Sequence, residues 1–335
     1  MNGAVSLFTA LLAVIALVAI ALLGAGPAGL SVLFGVVVPY AAITIFILGV
    51  VGKIVAWGRI PVPFNIPTTG GQGKSLPWIK AAYFDCPYST WGVIGRMALE
   101  VLLFRSLFRN TKAEVRPGAK VMFASAKWLW LAGILFHYTF LIILVRHIRF
   151  FVEPVPSFVE LISSVDGFFE ILVPTLFMTD IFLLTAVTYL FLRRVFIPQI
   201  RYISLPSDYF PLFLILGIAI TGVLMRNVWK VDLNIVKQLA MGLVTFSPSV
   251  PQGIGVIFYV HLFLASALLA YFPFSKLMHG PGVFLSPTRN LANDSRMVRH
   301  VNPWNYPVKV HTYEEYEDEF RAKLIDAGIP VEKEE

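Results

Sequence analysis

His137 and His147 lie in one apolar stretch of membrane length, and His261 and His279 lie in another. Ionisable groups are costly at bilayer depth and are found there mainly for function. Imidazole is also the ordinary axial ligand of haem iron. Ten residues separate His137 from His147, a rise of ~15 Å along a helix, so the two must serve different metal ions. At ~100° per residue both stay on one broad side of their helix. Eighteen residues separate His261 from His279, about five full turns, which returns to the same face. Two antiparallel helices with these spacings oppose four imidazoles as two pairs, the ligand set of two stacked b-type haems. Zinc makes poorer use of them, because its catalytic sites need three close ligands. Taken singly, each histidine is equally compatible with a helix–helix hydrogen bond, and His279 with an interfacial position. His300 and His311 fall in a polar tail and read as solvated.

Helices that position such ligands must sit in lipid. The 335 residues are 57% hydrophobic and 14% charged, with a mean hydropathy of +0.74, against about a quarter charged in soluble domains. Cys86 is the single cysteine, which excludes an internal disulfide and a Cys-ligated iron–sulfur cluster. No Cys-x-x-Cys-His occurs, so any haem is held without covalent attachment. The net charge of +7 comes from basic residues flanking apolar runs, as topology signals do. The partner this implies is the lipid bilayer and not nucleic acid.

A hydrocarbon core of about 30 Å takes roughly 20 apolar residues per helix. Six runs qualify, at about 4–24, 31–52, 128–151, 168–192, 209–225 and 255–278. The expected fold is an all-α integral membrane protein, a bundle of six transmembrane helices. The first run exceeds a signal-peptide core and has no basic residue before it, so it reads as retained. From Lys53 to Lys127 eleven Lys/Arg stand against Asp85, Glu100 and Glu114; Arg193, Arg194 and Arg201 mark the next connection on that side. Between helices three and four, Arg146 and Arg149 face Glu153, Glu160 and Asp166. The positive-inside rule then places both termini, 53–127 and the tail in the cytoplasm of a multi-pass cell-membrane protein. Helix three runs inward to outward and helix six the reverse, so the pairs are His147 with His261, outer, and His137 with His279, inner. The eighteen-residue spacing rises ~27 Å against ~15 Å, and helix tilt together with a bend at Pro273 must absorb the difference.

The chain divides into two N-terminal spans (1–52), a basic cytoplasmic segment (53–127), a four-helix region with the histidines (128–279) and a cytoplasmic tail (280–335). Within the basic segment, Pro61 to Gly73 reads as turn-rich, and Trp91 to Phe108 either as a helix lying in the membrane interface or as a solvated connector with snorkelling arginines. The tail is basic and aromatic through Tyr306, then acidic from Glu314 to Glu319. Such a stretch is either solvated or docks a cytoplasmic partner. Asp180, deep in helix four, calls for an interhelical polar contact.

Phe136-His137-Tyr138 through Val145-Arg146-His147 resembles the first histidine pair of the cytochrome b subunit family of respiratory nitrate reductase. Tyr259-Val260-His261 through Phe272-Pro273-Phe274-Ser275-Lys276-Leu277-Met278-His279 is similar to the second, including its Phe-Pro-Phe-Ser-Lys core. The resemblance covers roughly helices two to six. It implies a five-helix di-haem cytochrome b core, here preceded by one extra N-terminal helix. That helix and the long 53–127 segment look more like the menaquinol-oxidising cytochrome b subunit of the sulfite-reductase-associated Dsr membrane complex of sulfur metabolism. The partners this likeness implies are a cytoplasmic heterodisulfide-reductase-like iron–sulfur subunit, a multihaem c-type cytochrome and a second quinone-interacting membrane subunit. The implied activity is menaquinol oxidation near the outer face, with electrons leaving inward through two b haems. A quinol site needs a proton acceptor and a headgroup ligand. Glu160, Asp166 and Glu170 are the outer-side carboxylates, and Arg149 and Lys230 the candidate headgroup ligands.

Two other classes compete. A transporter predicts internal repeats and charged or broken helices at the midplane; no repeat is found, and Asp180 is nearly alone there. A membrane anchor without a redox role leaves the paired histidines unexplained.

Overall fold

The computed structural model describes residues 3–60, 78, 80–109, 111–118, 120–168, 175–294 and 311–333. Five helices are long and apolar enough to cross a bilayer: α1 (Gly3–Ala25), α2 (Val38–Gly58, entered through a π-helical turn Leu33–Val37), α5 (Lys127–His147, continued by a 3-10 turn Ile148–Phe150), α9 (Pro206–Asn227) and α11 (Val256–Tyr271). The sixth expected span is realised as α7 (Met178–Phe196), about ten residues later than the predicted start at 168. Its ends explain the shift. Asp180 lies in the first turn and Arg193 and Arg194 in the last, matching the positive N-terminal and negative C-terminal ends of the helix dipole. Those three charges also set it apart from the five more apolar spans.

Helix α7 packs along α5 and α9, α9 along α1 and α11, and α11 along α1 and α2. Val14, Phe34, Leu214, Leu239, Tyr259, Val260 and Leu264 form the main core, and Leu183, Val187 and Ile215 a second one between α7 and α9. The outward faces carry exposed Phe8, Leu12, Leu48, Val51, Leu141 and Leu144. An apolar exterior over helices whose backbone bonds are internally satisfied is what a lipid solvent selects.

Short elements cap the two ends. At one end the start of α1 touches the backbone of Arg201 in α8 (Pro198–Ile203), and Lys276 Nζ donates to Asp208 at the start of α9 at 2.6 Å. At the other end lie α6 (Ser157–Asp166) and α10 (Leu233–Val244), where Tyr40 of α2 donates to the Leu243 carbonyl at 2.9 Å.

The helix predicted over Trp91–Phe108 forms as two, α3 (Thr90–Leu103) and α4 (Arg105–Phe108), broken where Phe104 adopts left-handed backbone angles (φ 48°, ψ 45°). A hairpin absent from the sequence reading follows. Strand β1 (Thr111–Arg116) pairs antiparallel with β2 (Lys120–Ser125), Arg116 opposite Lys120, and Gly118 (φ 86°) supplies the turn. The predicted turn-rich stretch from Pro61 to Gly73 lies outside the described residues, as does 295–310, which includes His300.

The predicted single helix over 255–278 ends early. After Tyr271 come a 3-10 turn (Phe272–Phe274), an extended Ser275 (φ −122°, ψ 175°) and a second 3-10 turn (Lys276–Met278). His279 opens a separate short helix, α12 (His279–Phe284), followed by α13 (Pro287–Asn290). Pro273 has no amide proton to continue the ladder. Gly49 of α2 is pressed against it, since a Cβ there would stand 2.6 Å from the proline ring. The break changes the course of the chain between the two histidines, so His279 is not carried on the helix that bears His261.

The α3–α4 unit is tied down by Asp85, whose carboxylate accepts from Arg105 at 2.5 Å and from Arg109 at 2.6 Å. Burial alone would raise this carboxyl, but the two guanidinium groups outweigh burial and hold it below the usual carboxylate range. Such a group contributes stability that is present above its unfolded pKa of ~3.9 and is lost as pH falls through the lower folded value. Amide exchange over 85–109 is therefore expected to be faster in Asp85→Asn than in the parent at pH 7, with the two converging only below about pH 4.

Candidate functional site

The fold brings the four histidines together as two pairs. His137 on α5 meets His279 at the start of α12, ring centroids 5.9 Å apart and planes perpendicular. His147, the last residue of α5, meets His261 of α11 at 6.4 Å with planes 8° apart. The first pair is exposed and the second half-buried. Helices α5 and α11 are not closely packed neighbours, so the rings meet across the space between them.

The hydrogen bonds fix which nitrogen each ring can offer. His137 Nδ1 donates to the Gly133 carbonyl and His147 Nδ1 to that of Ile143, both at 2.7 Å. His279 Nδ1 donates to the Lys276 carbonyl at 2.9 Å. A carbonyl has no proton to give, so Nδ1 must carry one. His261 Nδ1 lies 2.9 Å from Thr221 Oγ1. That hydroxyl also approaches the carbonyls of Gly217 at 2.7 Å and Ile218 at 3.0 Å, which takes its proton and leaves its oxygen to accept from His261. All four neutral rings therefore hold their lone pair on Nε2. This tautomer, set by a bond to the other nitrogen, is the usual arrangement of a metal-ligating histidine.

The donor set fits iron held between two imidazoles. Nitrogen–metal bonds of roughly 2 Å plus about 1 Å from nitrogen to ring centre on each side give centroids about 6 Å apart. Both pairs meet that requirement. Among the described residues no cluster of three His, Cys, Asp or Glu side chains exists for a zinc-type site. Aromatic rings flank the His137/His279 pair, with Phe104 and Phe136 at 5.0 and 4.9 Å from His137. At the His147/His261 pair Gly222 lies against His261, where a Cβ would stand 3.4 Å from Cε1.

Beside His147 lies a charge network whose centre the sequence reading missed. Arg146 pairs with Asp166 of α6 and reaches Asp180 of α7 at 3.5 Å. Asp166 is 4% exposed and also accepts from the Thr179 amide at 2.8 Å and hydroxyl at 2.6 Å. The Phe177 ring lies 3.6 Å from the Arg146 guanidinium carbon and 4.2 Å from that of Arg226. Arg226 donates to the Thr175 carbonyl at 2.9 Å. The ends of α5, α6, α7 and α9 are thus joined through two arginines, two carboxylates and one aromatic face. Asp180 makes the interhelical contact its depth called for. The signal for Arg146 was present as well, because a guanidinium inside an apolar run needs a carboxylate nearby.

The remaining candidates are dispersed. Glu160 is exposed on α6, and Lys230 is exposed in the loop after α9 with left-handed backbone (φ 48°). Neither makes an ion pair among the described residues. Arg149 donates to Ser163 of α6. Glu170 lies outside the described residues. Removing one partner of a buried ion pair strands the other charge. Asp166→Asn is expected to lower the stability of the bundle by about 3 kcal/mol, read by denaturant unfolding in detergent.

The sequence pattern of a family described as nitrate reductase gamma subunit matches residues 88–301. The Hdr-like menaquinol oxidoreductase cytochrome b-like subunit of Archaeoglobus fulgidus is 51% identical over 283 residues, 82% of this chain and 84% of the relative. The protein of the same description from Archaeoglobus profundus is 42% identical over 274 residues, 80% of this chain and 81% of the relative. The family match opens just before α3 and closes after α13, so it takes in both histidine pairs and the network beside them. The chain is a multi-pass membrane protein belonging to the nitrate reductase gamma subunit family.

Proposed function

We propose that this chain is a di-haem cytochrome b that oxidises menaquinol near the outer face of the cell membrane and delivers electrons inward to a cytoplasmic iron–sulfur subunit. The observation that carries the reading is the pair of opposed imidazole sets, each with Nδ1 committed and Nε2 free, at 5.9 and 6.4 Å. His147 and His261 hold the outer b haem and His137 and His279 the inner one. When bound, the two haems supply one-electron relay at two depths, which suits a quinol that gives up two electrons and two protons.

The chain's own residues bind the quinol and take its protons. Arg149 and Lys230 orient the headgroup at the outer end. Of Glu160, Asp166 and Glu170, the exposed Glu160 is best suited to exchange a proton with the outer water, while Asp166 serves by holding Arg146. Charge distribution supports an inward position for both termini and the 53–127 segment. The names of the two relatives support menaquinol as substrate and an Hdr-like complex as the setting. The further subunits proposed are a multihaem c-type cytochrome and a second quinone-interacting membrane subunit of a Dsr-type complex in sulfur metabolism.

Optical spectroscopy tests the reading. The purified chain should show reduced-minus-oxidised b-type bands from two centres. His147→Ala or His261→Ala should remove one centre, and His137→Ala or His279→Ala the other. Two centres at full occupancy with unchanged coordination in any of these variants would refute the assignment. Moving one electron inward works with or against the field by ~2.3 kcal/mol per 100 mV, so dissipating an imposed potential should change turnover.

A further inference from the structure

Beyond α13 the chain forms a small unit that the haem reading does not use. Helix α14 (Tyr313–Asp326) opens on a capping box, with Thr312 Oγ1 accepting from the Glu315 amide at 3.2 Å and Glu315 from the Thr312 amide at 3.1 Å. It closes on Gly328 (φ 70°), after which the Ile329 amide returns to the Leu324 carbonyl at 2.9 Å. The chain then folds back over the helix. The Glu317 side chain, in a residue 2% exposed, accepts from the backbone amides of Glu332 at 2.7 Å and Lys333 at 3.0 Å. A buried carboxylate satisfied by two amides of a returning strand of chain makes residues 312–333 a defined structure, not a frayed tail.

This unit leaves apolar surface uncovered. Tyr313, Tyr316 and Phe320 recur at helical spacing on one face, above the buried Leu324. Tyr313 is 51% and Tyr316 45% exposed, and the Tyr316 and Phe320 rings lie 5.2 Å apart. Ile325 and Ile329, about half exposed, line a groove with Pro330 and Val331. Among the described residues α14 is not packed along any helix of the bundle. Charge narrows what can cover this face. Residues 312–335 hold nine acidic and three basic residues, a net −6; with the whole chain at +7, the remainder carries +13. Helices that lie on membranes are rich in Lys and Arg, and anionic headgroups repel an acidic one. The equally acidic tail of a second copy would repel this one, which disfavours tail-to-tail pairing.

We propose that residues 312–333 are a docking module for the soluble iron–sulfur subunit, which receives the Tyr313–Tyr316–Phe320 face in an apolar groove rimmed by Lys and Arg. The inference rests on the inward, redox-linked reading of the chain given above. Aromatic anchors within a charged rim are the usual composition of an interface centre and its edge.

The test uses membranes bearing the whole complex, washed with rising salt while the iron–sulfur subunit is followed in the wash by iron content and mass. Tyr316→Ser and Glu319→Lys/Asp326→Lys alter exposed positions that carry none of the helix caps or the bonds to Glu317. Each should release about tenfold more of the subunit at a salt concentration where the parent retains it, with the b-type bands of the washed membranes unchanged. A photo-crosslinker at position 316 should capture the iron–sulfur subunit. Release indistinguishable from the parent, a parent that retains no such subunit, or crosslinks only to lipid or to the chain's own bundle would overturn the docking assignment. Absence of b-type bands in the parent would instead overturn the cytochrome reading.

Discussion

An imidazole offers a lone pair in a defined direction only when the proton on its other nitrogen is already engaged. In this bundle that condition is met four times by ordinary helix chemistry. Three of the Nδ1 groups donate to carbonyls three or four residues earlier in their own chain, and the fourth to a threonine whose hydroxyl proton is held by its own helix. Little dedicated structure is required for this orientation. What requires structure is bringing the two rings of each pair to about 6 Å from one another, and most of the architecture answers to that need.

The two pairs are brought together by different means. At the His147/His261 end both rings sit on long helices, α5 and α11, and side chains of α9 reach toward both. Its Thr221 orients His261, while its Arg226 shares the Phe177 face with Arg146, the neighbour of His147. At the His137/His279 end one ring comes from a long helix and the other from a short one, reached through two 3-10 turns. Lys276, within the second of these, is tied to Asp208 of α9. Helix α9 contributes no histidine, yet it braces both sites.

Much of this was legible in the residues. Periodicity of apolar runs located α1, α5 and α9 nearly to their ends, and the His137/His147 and His261/His279 spacings, combined with charge asymmetry, gave the pairing that the fold displays. The start of α7 was misjudged because apolar content alone ignores how Asp180 and the terminal arginines favour particular helix ends. The continuous helix through Pro273 was an overextension of periodicity, although the spacing mismatch already required a bend there. The β1–β2 hairpin and the fold-back onto Glu317 depend on pairings between short segments, which no local pattern encodes. Arg146 was legible in part: its need for a partner could be inferred, but the choice of Asp166 depends on how α6 lies against α5.

The break at Pro273 has a consequence for how the protein is made. Chains emerge from the ribosome N-terminus first. His147 and His261 can therefore meet once α11 has entered the bilayer, whereas the His137/His279 couple must wait for residues translated after that helix is complete. A nascent polypeptide stalled before Ser275 would own every group around the His147 and His261 rings and lack half of those around the other pair, because the break sets His279 on a separate element made after α11.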